Sequence, residues 1–223
     1  LMVDLGTGNT RVALVSGVGS ILGIRTYTNV YQRDDAYEDA QYFLPREWAP
    51  KILQGCRELG AEHPDVVIDA VSSAAARQSF VLLDREGEAF YGLPNIDNRG
   101  RAYMDQVPDH QEIYRLSGKW ATEDFGAAKL LGLRKVYPEM YDKIACVLSL
   151  SEWISQACET QLYDIGRRAW SEELCRKYGL EMDILPPLAA AGTVVGPVLP
   201  QLQQELHMAE GAPFILGGAD TQV

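Results

Sequence analysis

Basic residues are the first shortage. Against 31 aspartates and glutamates stand only 20 lysines and arginines, a formal net charge of −11 over 223 residues. That deficit argues against non-specific binding to nucleic acid or to anionic membranes, which takes clustered cations. It does not exclude an anionic ligand, because backbone amides hold phosphate locally. Long apolar runs are also missing: no uninterrupted stretch approaches the roughly 18 residues that mark a membrane-spanning helix. Cysteine is scarce, and Cys56, Cys146, Cys158 and Cys175 lack metal-ligand spacing. Four in this length make no disulfide framework, so reduced thiols in a cytoplasm are expected. His63, His110 and His207 are scattered and form no ligand pair. G-x-S-x-G, G-x-x-x-x-G-K-[ST] and H-E-x-x-H are absent, which removes three common catalytic signatures. No basic stretch precedes an apolar run at the start, so no signal peptide is expected.

What is present is the balance of an ordinary globular protein, 47% apolar and 23% charged, with length for one or two domains and a sizeable core. Residues 1–5, 11–16 and 21–30 read as short strands, parted by Gly6 and by Gly17 and Gly19. Residues 32–44 show no period and read as irregular. Pro45 opens a helix in which Trp48, Ile52, Leu53 and Cys56 share a face to about Glu62. Residues 66–71 read as a buried strand. Residues 80–83 and 89–91 flank the polar Asp84-Arg85-Glu86-Gly87 and read as a hairpin. Helices are predicted near 99–107, 111–117, 124–136, 138–142, 171–179 and 199–207, and a strand at 144–149. The four tryptophans, Trp48, Trp120, Trp153 and Trp170, read as core or helix-packing residues. The helix that Ser151-Glu152-Trp153-Ile154 would start is too short, so a stretch is expected to be missing between Ile154 and Ser155. The chain opens inside a strand, at Leu1-Met2-Val3, and stops just after a strand and Gly217-Gly218-Ala219-Asp220. It is therefore expected to be a fragment whose other half is absent.

Four segments carry chemistry. In Val3-Asp4-Leu5-Gly6-Thr7-Gly8-Asn9-Thr10-Arg11, a strand runs into two glycines, small hydroxyl residues and an arginine. Glycines let a backbone approach an anion and aim N–H groups at it. Thr7, Asn9 and Thr10 add neutral donors, Arg11 a charged one, and Asp4 can hold a hydrated magnesium ion. A plain hairpin turn is the competing reading; the aspartate at the strand end favours phosphate. In Gly217-Gly218-Ala219-Asp220, a carboxylate on a sparse loop either accepts a proton from an attacking hydroxyl or is a solvated turn residue. Arg77 and Gln78 follow the small residues from Ser72 to Ala76, as donors to polyol hydroxyls or as plain surface groups. In Asn95-Ile96-Asp97-Asn98-Arg99, Asp97 either caps a following helix or orients Arg77 or a substrate hydroxyl.

Taken in order, these segments resemble the N-terminal half of the FGGY family of carbohydrate kinases along nearly the whole chain. Asp4 to Arg11 is similar to that family's first phosphate-binding segment. Arg77-Gln78 with Val81-Leu82-Leu83-Asp84 resembles its sugar-contacting strand and hairpin. Asn95 to Arg99 stands where many members carry W-x-D-x-R, Leu185-Pro186 with Gly192 to Gly196 resembles an L-P…G…G passage, and Gly217 to Asp220 resembles the loop of the catalytic aspartate. The resemblance implies an α/β, ribonuclease-H-like (actin/hexokinase-type) domain, a mixed sheet flanked by helices, repeated in a second lobe that holds the adenosine. It implies ATP-dependent phosphorylation of a sugar or polyol, with Asp220 as general base and Asp4 helping to hold Mg2+. Gly6, Thr7, Gly8, Asn9, Thr10 and Arg11 would lie near the phosphate. Arg77 and Gln78, with Asp97, Asp124 and Asp220, would meet the sugar, Asp124 being placed by counting back from Phe125-Gly126-Ala127-Ala128-Lys129. Gln78 departs from both the glutamate of glycerol kinases and the histidine of xylulokinases, which leaves the substrate open; residues 70–98 look closest to autoinducer-2 kinases. A non-catalytic sugar-binding lobe and an actin-like ATPase are the alternatives. The expected partners are a small sugar or polyol and ATP, without nucleic acid or membrane, and with a homodimer left open. One lobe alone is expected not to turn over.

Overall fold

The computed structural model describes residues 1–150, 153 and 161–219. The strands in chain order are β1 (Met2–Leu5), β2 (Asn9–Val15), β3 (Ile21–Thr28), β4 (Gln32–Arg33), β5 (Gln41–Tyr42), β6 (Val71–Ala75), β7 (Phe80–Leu83), β8 (Ala89–Leu93), β9 (Cys146–Ser149), β10 (Tyr163–Asp164), β11 (Ala169–Trp170), β12 (Val194–Pro197) and β13 (Pro213–Ala219). The helices are α1 (Pro45–Glu62), α2 (His110–Ser117), α3 (Gly126–Val136), α4 (Pro138–Tyr141), α5 (Glu172–Tyr178) and α6 (Pro200–Glu205), with a 3-10 turn at Arg101–Gln106.

The main sheet has the order β12-β13-β6-β1-β2-β3. β1, β2 and β3 form an antiparallel meander, while β6 lies parallel to β1 and β13 parallel to β6. This is the ribonuclease-H-like mixed sheet that the resemblance implies. β2 alternates buried and half-exposed residues along its length, as a strand covered on one face must. α1 supplies the cover. It presents Trp48, Gly55, Cys56 and Leu59 to the sheet, and a Cβ on Gly55 would come within 2.9 Å of Val12. The glycine is what lets helix and strand lie that close.

The described residues from β7 to α5 form a second layer. β8, β7 and β9 pair as an antiparallel sheet, and α3 with Leu130 and Leu133 closes the largest core cluster, together with Phe80, Leu82, Leu93, Ile113 and Leu174. α2 is capped by Asp109, whose side chain accepts from the Glu112 N–H at 3.2 Å, and stops at Gly118 in the left-handed region. Burial pushes the thiols of Cys56 and Cys175 up to about 11, so neither is a nucleophile near neutral pH. Among the described residues no helix is long and apolar enough to cross a membrane.

One expectation is corrected. The buried strand is not residues 66–71 but β6, made of Val71-Ser72-Ser73-Ala74-Ala75; Ile68 makes only an isolated bridge to Met208. Hydropathy favours the apolar run. The strand between β1 and β13, however, must let Gly217 of β13 close onto the Ser73 backbone, and small side chains permit it. Of the two readings of Trp120, core or helix-packing, the structure shows the second: it is 57% exposed and stacks on Tyr114 of α2 at 4.8 Å. The junction around Ile154 and Ser155 lies outside the described residues.

Candidate active site

The segment from Asp4 to Arg11 is a hairpin turn with special bracing. β1 and β2 pair with Asp4 opposite Arg11, and Arg11 Nη1 donates to Asp4 Oδ2 at 2.8 Å. Their side chains remain 36% and 43% exposed. Asn29 holds the turn Gly6-Thr7-Gly8 from behind. Its Nδ2 donates to the Gly6 carbonyl at 2.7 Å and its backbone N–H to the Gly8 carbonyl at 3.0 Å. Tyr31 donates its hydroxyl to the Thr7 carbonyl at 2.6 Å. With all three carbonyls taken, the Thr7 and Gly8 N–H groups have no acceptor among the described residues. A turn with its carbonyls tied back and its amides open has the geometry of an anion cradle. Thr10 differs from expectation: it is buried and its hydroxyl donates to Asn29 Oδ1 at 2.7 Å. It braces the turn and does not line it, because alternation along β2 turns it inward. Asn9, half-buried, starts β2.

Strand register brings the other segments to the same edge. Leu5, Ala75 and Ala219, at the carboxyl ends of β1, β6 and β13, pair in line, and ligands sit at such ends in α/β folds. After β6 the chain passes exposed Arg77 and turns at Gln78, whose φ is 58°, a conformation that a side chain rarely adopts without support. The support is Lys129, fully buried on α3, whose Nζ donates to the Gln78 carbonyl at 2.7 Å and to the Pro94 carbonyl at 2.6 Å. Gln78 Nε2 then donates to Asp124 Oδ2 at 2.6 Å, and Thr122 donates its hydroxyl to Asp124 Oδ1. The residue pair read separately from the sequence is thus one hydrogen-bonded unit. After β8, Asn95 donates its backbone N–H to Ser79 Oγ and its Nδ2 to Thr7 Oγ1, both at 2.9 Å. Asn95 therefore ties the second layer to the turn.

Asp97 is the main correction. It is 0% exposed and neither caps a helix nor reaches Arg77. The following 3-10 turn begins after Gly100 without a side-chain cap. Asp97 Oδ2 accepts from Arg99 Nε at 2.8 Å and Oδ1 from the Gln41 N–H at 3.1 Å. Arg99 also meets Asp34 at 3.4 Å and lies 5.0 and 5.4 Å from the rings of Tyr37 and Tyr91. Burial raises the Asp97 carboxyl despite Arg99 beside it. Burial works against the Arg99 charge, yet Asp97 and Tyr91 outweigh it and hold the guanidinium above its ordinary value. This cluster pins residues 34–41 to the Asn95 loop. Sequence reasoning missed Asn29, Asn95 and Lys129 as working residues. The signal for Lys129 was a single cation inside the apolar run from Phe125 to Leu133.

Among the described residues no group of three acidic, histidine or cysteine side chains forms a metal cage. Asp4 keeps Oδ1 beyond its contact with Arg11. One carboxylate oxygen beside an anion cradle suits Mg2+, which keeps several waters and shares phosphate oxygens. Asp220 lies outside the described residues.

The FGGY family of carbohydrate kinases, N-terminal domain, matches over residues 1–223. The chain belongs to that family. It is 38% identical over 235 aligned residues to a protein of Bacillus subtilis (strain 168) named as sugar kinase YoaC, covering all of this chain and 48% of that protein. It is 26% identical over 245 residues to an autoinducer-2 kinase of Salmonella choleraesuis (strain SC-B67), covering all of this chain and 46% of that one. Its fold superposes on xylulose kinase from Lactobacillus acidophilus with a TM-score of 0.87 at 18% identity, over 99% of this chain and 48% of that one. The chain spans about half the length of the curated relatives it matches.

Proposed function

We propose that this chain is the acceptor-binding lobe of an ATP-dependent kinase that phosphorylates a hydroxyl of a small sugar or polyol. The observation that carries the reading is the meeting of an open-amide turn with the Gln78–Asp124 unit through the Thr7–Asn95 hydrogen bond. One side suits phosphate, the other a polyol, and the link sets them side by side. A second lobe, in a polypeptide as long as the relatives, supplies the adenosine contacts.

In this mechanism Gln78, Asp124 and Arg77 orient the acceptor, an amide, a carboxylate and a cation being complementary to neighbouring hydroxyls. Asp220 directly follows Ala219, whose strand ends beside those of β1 and β6. As general base it takes the proton of the attacking hydroxyl. The hydroxyl oxygen bonds to the terminal phosphorus of ATP as the bond to the ADP oxygen breaks. The Thr7 and Gly8 amides, Asn9 and Arg11 meet the charge on the transferred group, and catalysis is positioning plus charge neutralisation. Asp4 would hold the hydrated Mg2+, which supplies countercharge to the phosphates. Closure of the two lobes excludes water. The reading places the enzyme in the cytoplasm, where its buried thiols stay reduced.

The test uses the two-lobed protein and a panel of pentuloses, polyols and the autoinducer-2 precursor, read as ATP consumption. Asp220→Asn is expected to lower kcat by about 10³-fold or more while acceptor binding by calorimetry survives. Unchanged turnover would remove Asp220 from the mechanism, and ATP use indifferent to every acceptor would favour an ATPase.

A further inference from the structure

Asn95 is half-buried, and its side chain is divided. Its Nδ2 donates to Thr7 Oγ1 at 2.9 Å across 88 residues of sequence. Its Oδ1 is shut off from solvent and is the one buried side-chain nitrogen or oxygen atom without a hydrogen-bond partner among the described residues. Buried acceptors are normally satisfied, so an orphan at a candidate active site calls for a reason. Its surroundings leave the side chain little freedom. The backbone N–H is fixed on Ser79 Oγ. The preceding carbonyl, of Pro94, accepts from both Lys129 Nζ and the Asp97 N–H. Two residues on, the buried Asp97–Arg99 pair anchors the loop. The fold thus holds the carboxamide on Thr7 at the cost of leaving Oδ1 alone.

We propose that Asn95 is a positioning residue that aims the Thr7 hydroxyl at the phosphoryl group being transferred; this rests on the kinase reading above. A threonine hydroxyl has one hydrogen to give and lone pairs to receive. With Asn95 filling a lone pair, the Thr7 hydrogen is directed elsewhere. The carbonyls of the turn are already occupied by Asn29 and Tyr31, so the hydroxyl joins the Thr7 and Gly8 amides as a third donor of one cradle. An aimed donor acts at the transition state only if it is set beforehand.

The decisive variant is Asn95→Asp in the two-lobed enzyme. Near neutral pH a carboxylate only accepts, so it draws the Thr7 hydrogen towards itself and away from phosphate. kcat is expected to fall about 10²-fold with the acceptor KM little changed. As pH drops and the new carboxyl protonates, it can donate to Thr7 again, and kcat relative to the parent is expected to recover. Thr7→Val is expected to lose a similar factor, and adding Asn95→Asp to it should cost little more, the mark of groups acting as one. A loss that ignores pH and multiplies with that of Thr7→Val would overturn the proposal, as would parental kcat in Asn95→Asp at every pH. If Asn95→Asp fails to fold, Thr7→Val decides alone, through loss of kcat or its retention. A parent enzyme that phosphorylates no acceptor would instead condemn the kinase reading, so the two failures are distinguishable.

Discussion

Two carboxylate–guanidinium pairs, each with a 2.8 Å contact, sit on either side of the Thr7–Asn95 link. Asp4 and Arg11 keep 36% and 43% of their side-chain surface, while Asp97 and Arg99 keep none. The chemistry is the same and the consequence opposite. In the exposed pair, water screens the attraction, so the pair adds little to stability and both groups stay available to a ligand. In the buried pair, each charge depends on the other, and removing one leaves an uncompensated ion in the core. Under the proposed mechanism one pair belongs to the chemistry and the other to the scaffold that holds the chemistry in place.

The largest effect should come from breaking the buried pair. Asp97→Ala leaves Arg99 with only Asp34, at 3.4 Å, as an anionic partner among the described residues. It also frees the Gln41 N–H from its acceptor. A loss of about 3–5 kcal/mol is expected, measurable by chemical denaturation. A loss below about 1 kcal/mol would mean that the two pairs do not differ in kind. An intermediate effect is expected from Gly132→Ala. The added Cβ would fall 2.5 Å from the Arg99 carbonyl, a backbone atom that cannot swing aside. α3 would have to back away, costing about 1–3 kcal/mol. Because α3 carries Lys129, the Gln78 and Pro94 carbonyls should loosen with it, and the acceptor KM should rise. Unchanged stability and KM would show that the helix is not set by this contact.

How far the sequence reveals each region follows the same division. The turn of Asp4 to Arg11 was legible because its residue types and their spacing are local: glycines, short polar side chains and a strand on each side. The span of α1 was legible for a similar reason, since Pro45 marks its start and apolar spacing carries it to Glu62. The scaffold was not. Asp97 beside a presumed helix start reads as a cap, and nothing nearby announces that Arg99, two residues away, turns inward with it. Lys129 meets Gln78 and Pro94 across 51 and 35 residues, and Asn95 meets Thr7 across 88. Such contacts come from tertiary packing, which no local pattern encodes. β6 was displaced for a related reason. Its small residues suit a strand pressed between two neighbours, and hydropathy points instead to the more apolar run before it.

The smallest effect on stability, and the sharpest test of the contrast, should come from Arg11→Ala. The Arg11 side chain is 43% exposed and pairs with Asp4. Pairs of this kind contribute about 0–1 kcal/mol, so the denaturation midpoint should hardly move. Under the proposed mechanism Arg11 meets charge on the phosphoryl group, where a lost donor costs about 10²-fold in kcat. Stability and turnover should therefore separate at Arg11, whereas at Asp97 a loss of folded protein accompanies any loss of activity. Salt gives an independent check on the same difference. Raising ionic strength should erase what little Arg11 contributes to stability while leaving the Asp97–Arg99 contribution nearly intact, because screening reaches exposed charges far more than buried ones. If both pairs responded alike to salt, exposure would not be what distinguishes them, and the division into a ligand-facing pair and a scaffold pair would fall.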